Sequence, residues 1–127
     1  MSENNKDMHH KGEIIVVDFG QGLNSEKSGK RLAVVVSANL INSWGDNIIV
    51  APLTNSQNKQ RKDGTLKLLD THVYLSNNYY KELKHSSILQ LEDIRSVSRE
   101  RIKESIGRLS SQNINEANRK LRKALGI

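Results

Sequence analysis

The side chains best suited to chemistry in this 127-residue chain are four histidines, basic residues gathered in two polar loops, and a few scattered aromatics. Histidine ordinarily titrates near neutral pH. His72 and His85 can therefore act as an acid–base pair or, with Asp70 or Asp93, as metal ligands. Their spacing fits no metal-binding pattern, so neither a metal nor another cofactor is expected. His9 and His10 lie in a polar N-terminal stretch and read as solvated. His72, set in a strand pattern, reads as a surface residue. The chain has no cysteine, which excludes disulfides, thiolate zinc sites and a cysteine nucleophile. It also lacks a glycine-rich phosphate loop before a helix, and a nucleophile elbow.

Cation chemistry remains. Lys27, Lys30, Lys59, Arg61 and Lys62 can contact phosphates, or they belong to solvated loops. Glu26 sits with Ser25 and Ser28 close to Arg31; it reads as a base, an aid to loop order, or half of a solvated ion pair. Phe19, Trp44, Tyr79 and Tyr80 can stack on bases. Phe19 suits this best because it ends a strand beside the basic loop, whereas Trp44 and the tyrosines read as packing residues. Lys and Arg outnumber Asp and Glu by 20 to 14, a net charge of +6. That balance favours an anionic partner, although it also suits a merely soluble surface.

The elements that must position these residues are short. Only 35% of the chain is hydrophobic, concentrated in Ile14–Val17, Val34–Val36, Ile48–Ala51 and Ile88–Leu89. None is long enough to span a membrane, and Met1 to Lys11 lacks the apolar stretch of a signal peptide. The default expectation is a cytoplasmic protein with no membrane partner. Residues 1–10 read as a disordered tail and 11–127 as a single domain.

Strands are expected over Ile14–Phe19, Arg31–Ser37, Asn47–Thr54 and Thr71–Leu75, with another short one at Ser105–Leu109. Pro52 marks an edge or bulge near the third strand's end. Residues 55–70 are too polar to pack and read as a long mobile loop. In Ser87–Val97, the alternation set by Leu89 and Leu91 breaks at Glu92-Asp93, which suggests a bulge or corner. Ile114, Ala117, Leu121, Ala124 and Leu125 share one face of a terminal helix, capped by Ser110 or Ser111 and ended by Gly126. Many short strands plus one helix point to a mainly β fold with α, a small SH3-like barrel with a C-terminal helix.

Three segments, in order, resemble the MazF/PemK toxin family. Lys11-Gly12-Glu13-Ile14 running into Val17-Asp18-Phe19 is similar to that family's opening strand. Ser25-Glu26-Lys27-Ser28-Gly29-Lys30-Arg31, followed by Ala33-Val34-Val35-Val36-Ser37, resembles its G-S-E-Q-x-G-x-R-P loop and second strand. Val50-Ala51-Pro52-Leu53-Thr54 is similar to its V-A-P-[IL]-T strand end. Thr71-His72-Val73, the run from Ser87 to Ser96, and Ile106-Gly107-Arg108-Leu109 keep the family's order and spacing. The likeness spans roughly residues 11 to 126. Departures are Leu32 for the proline after the arginine, Lys27 for the loop glutamine, Asn24 for the glycine before the serine, and Asp93 for the glutamine of L-E-Q-I-R.

The resemblance implies a CcdB/PemK-type barrel, a homodimer, and a metal-independent endoribonuclease toxin that cleaves single-stranded RNA, including mRNA, at short motifs under the control of an antitoxin. It implies Arg31 and Thr54 as the catalytic pair. Glu26 is candidate support, and Phe19, Ser25, Lys27, Ser28, Lys30, Lys59, Arg61, Lys62, Gln90 and Asp93 are candidate RNA contacts. Arg31 supplies a permanent planar charge with several donors, and the Thr54 hydroxyl can bond a phosphate oxygen. Without the resemblance, Arg31 reads as a surface cation and Thr54 as an ordinary strand residue. Two other readings stay open: a toxin of the same fold that binds a protein such as DNA gyrase, and a non-catalytic RNA-binding module.

Overall fold

A computed structural model describes residues 8–20 and 29–127. The expectations for Ser25, Glu26, Lys27 and Ser28, and most of the expected tail, lie outside the described residues. The strands are β1 (Glu13–Asp18), β2 (Lys30–Val35), β3 (Asn47–Asn55), β4 (His72–Leu75), β5 (Ser87–Gln90), β6 (Arg95–Ser98) and β7 (Ile102–Arg108). A short helix α1 (Asn39–Trp44) joins β2 to β3, and α2 (Ser111–Leu125) closes the chain. The seven strands form one antiparallel sheet in the order β4-β5-β3-β2-β1-β7, with β6 also paired to β3. Among the described residues no ladder joins β4 to β7. The expected barrel is thus a mainly β, open-edged sheet with its C-terminal helix.

Alternation along the strands sorts apolar residues into two cores. Ile14, Val34, Val36, Ala51, Leu53, Leu89 and Leu91 join one, while Ile15, Val17, Ala33, Val35, Ile48, Val50 and Val97 form the other. Continuous rather than alternating apolar runs follow from this, because β1, β2 and β3 are buried on both faces.

β3 is the organising strand. Its first half, Asn47 to Val50, pairs with β6, and its end, Leu53 to Asn55, pairs with β5. Between these partners, Leu91–Asp93 loop out as a 3₁₀ turn, the corner that the broken alternation predicts. Pro52, paired with Ala33, tolerates its place because β3 changes partner beside it on the other edge.

Helix α2 begins at Ser110, whose hydroxyl accepts from the Asn113 N–H, and ends at Gly126 in the left-handed conformation at φ +73°. Ile114, Ala117 and Leu121 pack on the first core. Leu125, expected on that face, is 52% exposed, because the helix ends beyond the sheet's cover. Gly12 makes this docking close: at φ +92°, a Cβ there would stand 2.6 Å from Ile114 Cδ1. The Tyr80 hydroxyl donates to Asn113 Oδ1 and accepts from the Ser110 N–H, and Lys120 Nζ donates to the His72 carbonyl at 2.8 Å. These contacts tie α2 to the strands beneath it.

Three expectations change. Residues 55–70 are not structureless: a 3₁₀ turn covers Ser56–Lys59, and a bridge pairs Gln60 with Leu66. Local backbone bonding organises this segment without an apolar core. Trp44 and Tyr79 do not pack inward; Trp44 is 72% exposed, and only Tyr80 of the two tyrosines is buried. His9 is not simply solvated, because its Nδ1 lies 2.7 Å from Glu13 Oε1.

Candidate active site

Arg31 and Thr54 are positioned by separate ladders. Arg31 pairs with Val17 across β1–β2. The β2–β3 ladder ends at Ala33 with Pro52, and continuing its register by two residues sets Arg31 opposite Thr54. Thr54 is held instead from the other edge, by Ile88 of β5. β2 and β3 therefore part where the two side chains stand.

A depression of about 540 Å³ occupies that gap. Val16, Leu32, Leu53 and Ile106 give it an apolar floor, and Lys30, Arg31, Thr54, Asn58, Lys84 and His85 supply its polar groups. The lining holds three permanent cations and no carboxylate. Such a wall favours an anionic occupant, and the apolar floor limits solvent screening. Arg31 makes no hydrogen bond or ion pair among the described residues, so its fork of donors is available to a ligand. Thr54 is only 9% exposed, and its Oγ1 accepts from Asn58 Nδ2 at 3.0 Å. That bond uses a lone pair and orients the hydroxyl while leaving its hydrogen free to donate.

Two further depressions adjoin this one. Arg31 also lines a space of about 270 Å³ with Phe19, Glu92, Asp93 and Arg95. Asn58 also lines one of about 440 Å³ with Lys59, Arg61, Lys67 and His72. The three adjoin end to end through Arg31 and Asn58, with the Arg31–Thr54 gap in the middle.

The structure therefore gathers Phe19, Lys30, Arg31, Thr54, Lys59, Arg61 and Asp93 along this track. Phe19 is buried, with the Arg95 guanidinium 4.7 Å from its ring centroid, so base stacking there needs Arg95 to swing aside. Lys62 is exposed but borders none of the three spaces. Gln90, expected on the RNA surface, is instead buried at 5% exposure, and its Oε1 has no hydrogen-bond partner. The β5 strand carries it inward between β3 and β4.

The histidines separate. His72 is not a surface residue; it is 2% exposed, because β4 turns it beneath Glu92. Its Nδ1 accepts from the Leu69 N–H at 3.1 Å, which leaves Nε2–H to donate to Glu92 Oε2 at 2.9 Å. Burial pushes the Glu92 carboxyl up, but hydrogen bonds from Thr71 and His72 outweigh it and hold the group below its ordinary value. This is a structural clasp. His85, by contrast, lines the central depression. Asn58 and Lys84 join it there without any signal in the sequence, since only the Ser56–Lys59 turn and the approach to β5 return them to the gap. Among the described residues no group of three or more His, Asp or Glu side chains could hold a metal, and no helix is long and apolar enough to cross a membrane.

An open antiparallel sheet with one docked helix and a cationic gap between its second and third strands defines the class. The chain belongs to the PemK-like, MazF-like toxins of type II toxin-antitoxin systems, whose family model matches residues 10–125. It is 29% identical over 120 residues to the endoribonuclease MazF of Staphylococcus saprophyticus, an alignment covering 94% of this chain and 93% of that protein. Its fold is similar to MazF from Deinococcus radiodurans, with a TM-score of 0.71 at 21% identity, covering 94% of this chain and 98% of the other. It is equally similar to a mycobacterial endoribonuclease in complex with its cognate antitoxin, with a TM-score of 0.71 at 18% identity and coverage of 94% and 96%.

Proposed function

We propose that this protein is a cytoplasmic endoribonuclease toxin that cleaves single-stranded RNA, including mRNA, without a metal. The observation that carries this reading is the placement of Arg31 and Thr54 in a depression that holds three permanent cations and no carboxylate, between two adjoining depressions. A single strand presents one phosphate per nucleotide and unpaired bases between, so a cationic depression with recesses on either side suits that ligand.

RNA supplies its own nucleophile, the 2′-hydroxyl. The protein must align that group with the phosphorus, stabilise the charge gathering on the nonbridging oxygens, and allow the 5′-oxygen to leave. Arg31 offers paired donors to those oxygens, and Thr54, oriented by Asn58, offers one more. The products are a 2′,3′-cyclic phosphate and a 5′-hydroxyl. Lys30, Lys59 and Arg61 hold flanking phosphates, while Asp93 takes part in base reading. Ser25, Glu26, Lys27 and Ser28 precede Arg31 in sequence and are further candidate contacts to the RNA, with Glu26 as possible catalytic support.

The active form is a homodimer, and an acidic antitoxin silences it. The structures similar to this one include a toxin with its cognate antitoxin, and the net charge of +6 suits such a partner. The deciding experiment is incubation of the purified protein with mixed-sequence RNA, alongside Arg31→Ala. Discrete cleavage lost in the variant supports the reading. Intact RNA with measurable binding would instead make the chain an RNA-binding module, and intact RNA without binding would favour a protein target.

A further inference from the structure

We propose that an exposed face of α2 is a second RNA-docking surface, one that holds the phosphate backbone of a strand without reading its bases. Ile114, Ala117 and Leu121 turn the apolar side of the helix onto the first core. Another face carries Asn115, Asn118, Arg119, Arg122 and Lys123, at i, i+3, i+4, i+7 and i+8. They line a depression of about 490 Å³ that holds three permanent cations and no carboxylate. None of them lines the depressions around Arg31 and Thr54, so this surface is separate from the cutting centre.

Its charge is not neutralised from within. α2 carries four basic side chains and a single acid, Glu116. Glu116 accepts from Asn113 Nδ2 at 3.1 Å and lies 3.8 Å from Lys120 Nζ, which also donates to the His72 carbonyl. Arg119, Arg122 and Lys123 are all exposed, and their side chains make no hydrogen bond or ion pair among the described residues. The helix dipole favours cations in the last turn, which accounts for Arg122 and Lys123. It does not account for Arg119, a turn earlier. Arg119 stands at i, i+3 and i, i+4 to two like charges, a spacing that costs helix stability and that a bound anion would relieve.

The chemistry selects phosphates. Guanidinium forks and amide N–H groups are donors suited to phosphate oxygens. Arg119 and Lys123 are roughly 6 Å apart along the helix axis, a step comparable with that from one phosphate to the next. Ile127 is the one hydrophobic side chain in the lining, so a protein partner would find little to bury. No aromatic ring there offers a base a stacking surface. Binding of this kind is independent of sequence and strongly salt-dependent. A flexible strand held at α2 raises the local concentration of its remaining length at the Arg31–Thr54 gap.

The test reads RNA binding by fluorescence anisotropy in the Arg31→Ala background, where cleavage does not intervene. Replacing Arg119, Arg122 and Lys123 together by Gln should weaken binding of a long single-stranded RNA by about ten-fold and lower the slope of log affinity against log salt by about 2. Arg119→Gln alone, which leaves the last turn intact, should lower that slope by about 0.7. Circular dichroism checks the helix in each variant. Lys81→Gln, Lys103→Gln and Arg108→Gln together remove the same charge from exposed positions elsewhere and should leave the slope nearly unchanged. With Arg31 intact, the α2 variant should raise KM for the long RNA while leaving kcat, and cleavage of a short oligonucleotide, unchanged. Equal losses from the two triple variants overturn the proposal. So does an unchanged affinity and slope in the α2 variant, whatever acidic protein segment that face then proves to bind. RNA held through α2 by a protein that cuts nothing would end the ribonuclease reading and keep this one.

Discussion

Arg31 and Thr54 stand opposite one another in the continued register of β2 and β3, where hydrogen bonding between those strands has already ended. Each is fixed from its outer side, Arg31 by β1 and Thr54 by β5, so the space between them is free of backbone pairing. A substrate group can enter there without displacing any rung.

Replacing either residue should therefore damage cleavage and spare the fold. Loss of a preorganised donor to a developing oxyanion typically costs about 10²–10³ in rate. Arg31→Ala should fall in that range or below it. Arg31→Lys should recover little, because a point charge cannot reproduce a planar fork. Thr54→Ser should keep part of the activity, and Asn58→Ala should lose several-fold through misorientation of the Thr54 hydroxyl. Single-turnover rates on one RNA, with melting curves as the folding control, check all four.

Cleavage should continue in excess EDTA and leave 2′,3′-cyclic phosphate and 5′-hydroxyl ends. A 2′-deoxy nucleotide at the scissile position should stop it. End-group mapping of the products is the measurement, and 5′-phosphate ends would contradict attack by the 2′-hydroxyl.

The His72–Glu92 clasp should contribute to stability. His72→Ala leaves Glu92 and the Leu69 N–H short of a partner and should lower stability by about 1–3 kcal/mol. The folded-state pKa of Glu92 lies below its ordinary value of 4.5. Its contribution is thus fully present above that value and is lost as pH falls through the depressed folded-state value. Denaturant melts across the acid range should show Glu92→Gln flattening this part of the pH dependence.

Gly12→Ala should cost about 1–2 kcal/mol through its left-handed backbone alone, with an added shift of Ile114. Urea melts report the loss. Because Ile114 belongs to α2, tryptic cleavage within that helix should also quicken.

Expression of the protein alone should arrest growth, and co-expression with a small acidic protein encoded beside it should relieve the arrest. Light scattering should give a dimer at micromolar concentration. Binding of that acidic partner should weaken as salt rises, since the central depression is cationic.

The strands, the corner at Leu91–Asp93 and the terminal helix were legible because burial leaves a periodic trace. The pairing of Arg31 with Thr54 was legible only through likeness to a family, since no local pattern links residues on different strands. His72 was misread because alternation alone does not reveal that Glu92 covers the outer face of β4. Asn58 and Lys84 left no mark at all. Each lies in a polar run, and what brings it to the gap is a turn held by backbone hydrogen bonds.

The segment between β3 and β4 has its own economy. Its turn and its Gln60–Leu66 bridge are closed by bonds within the segment, and most of its side chains face water. Insertions, deletions and changes of charge here would leave both cores untouched. Descendants of this gene that keep Asn58 on Thr54 are therefore free to vary the rest of the segment and, with it, one flank of the track.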